Sequence, residues 1–152
     1  MQPQHYHHGV CRKAVPVFIT LFELKNYEPQ VAFIQAFDYC SKVYLIDKSY
    51  LLVCKTLGEC QKILNKRLFC RSHRSWLVNT AFVTSIPCGK NARFIELMNG
   101  SSVPLARRKK TTVKKFIEKN RTYVFKNLYP KYLYQPGDRS LELWQKLNNQ
   151  NN

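Results

Sequence analysis

Arg71, His73 and Arg74 fall within four consecutive residues of the segment FCRSHRSWLVN, Phe69 to Asn79. Two guanidiniums and an imidazole in so short a stretch are hydrogen-bond donors for an anion. Phe69 on one side and Trp76, Leu77 and Val78 on the other are apolar enough to be buried. A segment of this composition pins its ends in a core and holds its middle out to an anionic partner. An ordinary loop entering a strand, its arginines merely solvated, has the same composition, so the rest of the chain must decide. A second basic cluster, ARRKK, stands at Ala106 to Lys110.

Charge favours the first reading. The 152 residues carry 25 Lys and Arg against 9 Asp and Glu, a net +16. Between Lys62 and Lys126 lie 16 of those bases and only two acids, Glu96 and Glu118, a net +14, while each flank is close to neutral. A surplus of that size, confined to the segment that holds both clusters, suits a polyanion. Metal-assisted cleavage of a phosphodiester needs clustered carboxylates. Glu96 and Glu118 are far apart in sequence, and no nucleophile stands beside a base, so we expect no enzyme.

The six cysteines, at positions 11, 40, 54, 60, 70 and 88, include no CxxC pair, and MQPQHYHHGVCRK lacks the apolar core of a secretory signal. They read as reduced thiols of a cytoplasmic chain, not as a zinc ribbon or disulfide frame. His5, His7 and His8, with no further ligand at fixed spacing, read as a disordered tail over residues 1–13. No metal or cofactor is expected. No apolar run approaches the roughly 20 residues of a membrane span.

The elements that must position the basic clusters are mostly strands. Ala14 to Leu24 and Val31 to Phe37 are rich in β-branched and aromatic residues. A loop over Asp38 to Ser41 leads to a hairpin, Lys42 to Ile46 and Ser49 to Cys54, apolar enough to be buried on both faces. Thr56 and Glu59 form a capping-box pair before Leu57, Cys60, Ile63 and Leu64 on one helical face, which predicts a helix over 57–66. Strands follow at Ala81 to Ile86 and at Arg93 to Met98. Asn99-Gly100 signals a two-residue hairpin turn into Ser102 to Ala106, where Pro104 demands an edge. A helix is predicted over 110–120, with Val113, Phe116 and Ile117 inward. Residues 121–152 form an aromatic extension ending in a short helix from about Ser140 and a disordered NNQNN; its aromatic residues either mediate dimerisation or pack on the domain itself.

The order of these pieces resembles the LytTR family of bacterial DNA-binding domains over about residues 14–120. Phe69, Arg71, His73, Arg74, Ser75, Leu77, Val78 and Asn79 carry the likeness, followed by Asn99, Gly100, Val103, Pro104, Arg107 and Arg108. Ala106 departs from it, standing where the family usually has a serine. The resemblance implies a mainly β fold, an elongated stack of small antiparallel sheets with short flanking helices. It implies a sequence-specific transcription regulator, a response-regulator output domain, whose strand-end loops enter major grooves of duplex DNA, as a dimer on repeated half-sites. A cytoplasmic, nucleoid-associated location follows. Members commonly follow a receiver domain, for which the residues before the match leave no room, so control by concentration, by a regulatory partner protein or through the extension is expected.

Carried over residue by residue, the resemblance points to the loop around Ser41 and Lys42, to His73 and Arg74, and to Arg107. The planar fork of arginine suits guanine O6 and N7, so Arg74 and Arg107 are the candidates for reading bases. Ser41, Lys42, Arg71, Arg108, Lys109 and Lys110 are candidates for backbone and loop contacts. His73 either donates to a base edge or phosphate or holds its own loop. Asn79 reads as structural, satisfying backbone groups at a strand end. The competing reading is an RNA- or ribosome-binding basic protein, but the aromatic residues alternate with aliphatic ones as core does, and no RNP or GXXG motif appears.

Overall fold

The computed structural model describes residues 16–85, 89–90 and 92–127, with the backbone alone for residues 125–127. The N-terminal histidines, Ile86, and the extension beyond Asn127, with its expected helix, lie outside the described residues.

The first expected strand is corrected. Among the described residues of that run only Phe18–Ile19 (β1) forms a strand, and Leu21–Tyr27 is a helix (α1). Thr20 Oγ accepts from Glu23 N–H at 3.1 Å, and Glu23 Oε2 accepts from Thr20 N–H at 3.0 Å. This capping box satisfies two of the donors that a helix start leaves open, and it outweighs the β-propensity of Phe18 to Phe22. The same pairing of Thr56 with Glu59 starts α2, Leu57–Ile63.

Between the helices run β2 (Val31–Phe37), β3 (Cys40–Leu45) and β4 (Tyr50–Val53). The loop expected over 38–41 contracts to Asp38 and Tyr39, because Asp38 adopts a φ of 53°, the left-handed region that aspartate tolerates better than most residues. Cys40 and Ser41 therefore belong to β3. Burial on both faces holds for β4 but not for β3, where Ser41, Val43 and Leu45 are buried and Cys40, Lys42 and Tyr44 half-exposed.

β5 (Phe69–His73) and β6 (Trp76–Asn79) follow. The expected strand over 81–86 becomes a 3-10 turn, Thr80–Phe82, and a single bridge from Val83 to Leu97. Asn79 causes the change, its Oδ1 accepting from Ala81 N–H at 3.0 Å. β7 (Phe94–Glu96) and β8 (Ser102–Pro104) form a separate two-stranded sheet. Their turn is not the two-residue type that Asn99-Gly100 suggests, which requires positive φ at both residues. Gly100 alone is left-handed at 86°, its N–H donating to Leu97 O while Leu97 N–H donates to Ser101 O. Asn99 Nδ2 instead reaches Ile46 O at 3.1 Å and ties this hairpin to the larger sheet.

The six-stranded sheet has the order β1-β4-β3-β2-β6-β5, antiparallel except for the parallel pair β1–β4. On one face α2 packs across β2, β3 and β6, burying Ile34, Val43 and Leu77 completely. β8 lies against β5 and β6. The architecture is the mainly β one expected, with a longer last helix: α3 runs from Lys110 to Asn127. Asn120 does not stop it, because its Nδ2 donates to Phe116 O one turn back. Val124 is buried, and Tyr123 OH accepts from Asn65 Nδ2 at 3.0 Å, so the packed body continues past 120. No helix among the described residues is long and apolar enough to cross a membrane.

Candidate nucleic-acid interface

Strand register alone brings the basic loops together. β2 and β3 meet at Phe37 and Cys40, and β5 and β6 at His73 and Trp76. Ala36 N–H donates to Ser75 O at 2.8 Å, which makes the Asp38–Tyr39 and Arg74–Ser75 turns neighbours at one end of the sheet. Ala106 N–H donates to Ser72 O at 2.8 Å and fixes the start of a 3-10 turn, Arg107–Lys109, beside that end. Three stretches distant in sequence thus share one edge.

The Arg74 turn is braced from within. The β5–β6 register shifts between Arg71 and His73, so Ser72 has no cross-strand partner. A bulge of this kind re-aims the residues after it. His73 Nδ1 accepts from Ser75 N–H at 3.1 Å, which places the ring proton on Nε2 and leaves that N–H as an outward donor. Arg71 Nη2 donates to Arg74 O at 2.9 Å. Arg71 therefore commits one arm of its fork to the turn, whereas the Arg74 side chain is exposed and makes no hydrogen bond or ion pair among the described residues.

Ser41 is a correction. It is wholly buried, and its Oγ donates to Lys55 O at 2.7 Å, so it has no donor left for a nucleic acid. The loop presents Tyr39, 94% exposed, in its place. Lys42 rises from the outer face of the sheet with its ammonium 4.1 Å from the centre of the Tyr50 ring, with Tyr44 and Phe37 also in range. Such contacts hold a cation in one position without neutralising it. Asn79, 1% exposed, donates through Nδ2 to Val31 O at 2.8 Å and accepts from Ala81, which ties β6 to β2.

Arg107 and Arg108 are exposed, Lys109 and Lys110 half-buried. Lys110 Nζ donates to Gly89 O at 3.1 Å and Lys90 O at 2.7 Å, folding the 89–90 segment against α3. With Lys90, Arg93 and Arg107 it lines an open concavity of about 640 Å³ that no acid among the described residues enters. Lys90 and Arg93 are functional candidates that the sequence reading missed. The hairpin register contains the signal, since Phe94 faces Pro104 and Leu105 N–H donates to Arg93 O, which carries Arg93 to the side of Arg107. Cys40 and Cys54, read from the sequence as reduced thiols, are free, and their sulfurs lie 3.3 Å apart beside the Asp38–Tyr39 turn. Among the described residues the one ion pair is Lys25–Glu28, so the cations of this edge have no carboxylate partner there.

A sheet edge on which two of three neighbouring turns carry cations with no ion pair among the described residues suits a polyanion, and comparison with known proteins makes the class specific. The family model of the LytTr DNA-binding domain matches residues 27–118, and the chain belongs to that family. A solved LytTr DNA-binding domain of a putative methyl-accepting/DNA response regulator from Bacillus cereus superposes with a TM-score of 0.51 at 23% identity, over 58% of this chain and 81% of that one. No curated protein matches.

Proposed function

We propose that this protein is a sequence-specific double-stranded DNA-binding transcription regulator, an output domain of the response-regulator kind, reading major grooves through its strand-end loops. The observation that carries this reading is the convergence of the Asp38–Tyr39, Arg74–Ser75 and Arg107–Lys109 turns on one edge, where Asp38 is the one carboxylate on the turns and none of their cations forms an ion pair among the described residues. Arg74 and Arg107 are the base readers, because each is exposed and each carries a fork that fits guanine bidentately. His73 supplies Nε2–H to a base edge or phosphate. Lys42, Arg108, Lys109 and Lys110 set the phosphate register, joined by Lys90 and Arg93. Arg71 supports this set by bracing the turn. A pair of copies on repeated half-sites gives each edge its own groove.

The test is anisotropy of labelled duplexes over a salt series, for the wild type and for Arg74→Ala with Arg107→Ala. Log K is expected to fall with log salt at about −0.9 per phosphate neutralised. The double variant is expected to lose its preference among sequences while keeping weak, salt-sensitive binding. Equal binding of all duplexes by wild type and variant, or tighter binding of RNA, overturns the proposal.

A further inference from the structure

Behind the Arg74 turn lies a second feature, which shares Arg71 and Lys109 with the DNA reading and otherwise lies outside it. Between α2, β5 and α3 the surface opens into a groove of about 600 Å³, inside the roughly 300–1,000 Å³ typical of small-molecule sites. Lys62, Lys66, Arg71 and Lys109 stand around it, and no carboxylate among the described residues lines it. Glu59, whose carboxyl is held low first by hydrogen bonds from Thr56 and only lastly by the charge of Lys62, is committed to capping α2. Phe69, Val113 and Phe116 give it an apolar side, with Gln61 and Thr112 also in the lining. Burial pushes the Cys70 thiol in the same wall up to about 12, so it adds no negative charge.

Cations next to an apolar side specify an anion with an apolar body. A phosphodiester backbone would satisfy the rim and leave the apolar side wet, and an uncharged arene would do the reverse. Arg71 has donor capacity to spare as well. Its single short bond goes to Arg74 O, the Nη1 contact to Gln61 Oε1 is stretched to 3.5 Å, and Nε–H is buried without a partner. Five guanidinium donors with one good bond leave much unsatisfied.

We propose that this groove binds a small organic anion, an aryl or alkyl carboxylate or phosphate ester, and that its occupancy is transmitted through Arg71 to the Arg74 turn. Only the transmission rests on the DNA-binding reading above. An anion that draws the Arg71 fork toward the groove competes with Arg74 O for the same donor and changes how firmly the turn is held.

The groove is tested without DNA by calorimetric titration of the full chain. The probes are 1-naphthoate and 1-naphthyl phosphate, with 1-naphthylmethanol and inorganic phosphate as controls. Both aromatic anions are expected to bind about tenfold or more tightly than either control. The exposed pair Lys62→Gln with Lys66→Gln is expected to weaken the aromatic anions about fivefold and leave the alcohol unchanged, while Phe116→Ala weakens both. Inorganic phosphate binding as tightly as the naphthyl compounds overturns the site, leaving only a cationic cluster. The alcohol binding as tightly as the acid, or an unchanged affinity in the lysine double variant, overturns it equally. A second arm measures the ratio of specific to non-specific duplex affinity with and without saturating 1-naphthoate. A shift of about threefold or more in wild type, reached in the Lys62/Lys66 variant only at about fivefold higher 1-naphthoate, supports the transmission, and no shift overturns it. If wild type shows no sequence preference, the proposed function fails and the transmission with it, while the calorimetry still decides the groove.

Discussion

The β5–β6 pair has a sealed end and an open end. At the sealed end Asn79 is buried, and both functions of its amide are used, on Val31 and Ala81. At the open end, four residues of strand away, Arg74 stands exposed, its backbone carbonyl held by Arg71 and its side chain unengaged among the described residues. The two ends share strands and differ in where their hydrogen-bonding capacity goes, inward to the fold or outward to a partner. If that division is real, substitutions at the sealed end should cost stability and those at the open end should cost recognition.

The largest expected effect is at Asn79. Asn79→Ala strands a buried carbonyl and a buried amide, each worth about 1–3 kcal/mol when unsatisfied, so a loss of roughly 3 kcal/mol in denaturant unfolding is expected. The fraction that remains folded should discriminate among duplexes as wild type does. A loss below about 1 kcal/mol would mean that neighbouring groups relax to satisfy one another and that this end is not sealed.

Arg74→Ala is the complementary case. Stability should stay within about 0.5 kcal/mol of wild type, as for surface substitutions in general. Discrimination at one base pair should fall by about 1–3 kcal/mol in competition titrations. Arg71→Ala lies between, because it removes a charge-assisted bond to the turn: a stability loss of about 1.5 kcal/mol with weakened discrimination. Should Arg71→Ala leave discrimination intact, the turn does not need its brace, and the transmission proposed from the groove loses its route.

How much of this was legible depended on whether neighbours in sequence or neighbours in space supplied the information. The basic turn, β2 and the α2 start are local patterns, and the structure has them where the residues put them. The Thr20–Glu23 box is written in the same letters as Thr56–Glu59, yet it lies within a β-favouring run, and only the hydrogen bonds decide between the two readings. Ser41 was misplaced because one left-handed residue, Asp38, shortens its loop and turns the serine inward. The convergence of three loops depends on register across β2, β6 and β5, and the 600 Å³ groove on how α3 crosses β5. Neither is a property of any single stretch.

The smallest expected effect tests whether the scaffold is independent of the open end. Thr56→Ala removes the hydroxyl that caps α2, and a loss of about 1 kcal/mol is expected. Hydrogen bonds from the Thr56 backbone and hydroxyl hold the Glu59 carboxyl below the usual carboxylate range, and bonds from Ser49 do the same for Asp47. For a depressed pKa the sign is fixed: the stabilisation is fully present above the unfolded value near 4.3 for Glu, and is lost as pH falls through the lower folded value. Stability measured from pH 6 down to about 3 should therefore decline less steeply in Glu59→Gln than in wild type, with the Asp47 part of the slope remaining. DNA discrimination of Thr56→Ala at neutral pH should match wild type, since no residue of the cap reaches the Arg74 turn. A variant that lost about 1 kcal/mol of stability and discrimination together would place α2 within the recognition apparatus, and the division between the two ends of β5 and β6 would then hold for the strands but not for the helix packed across them.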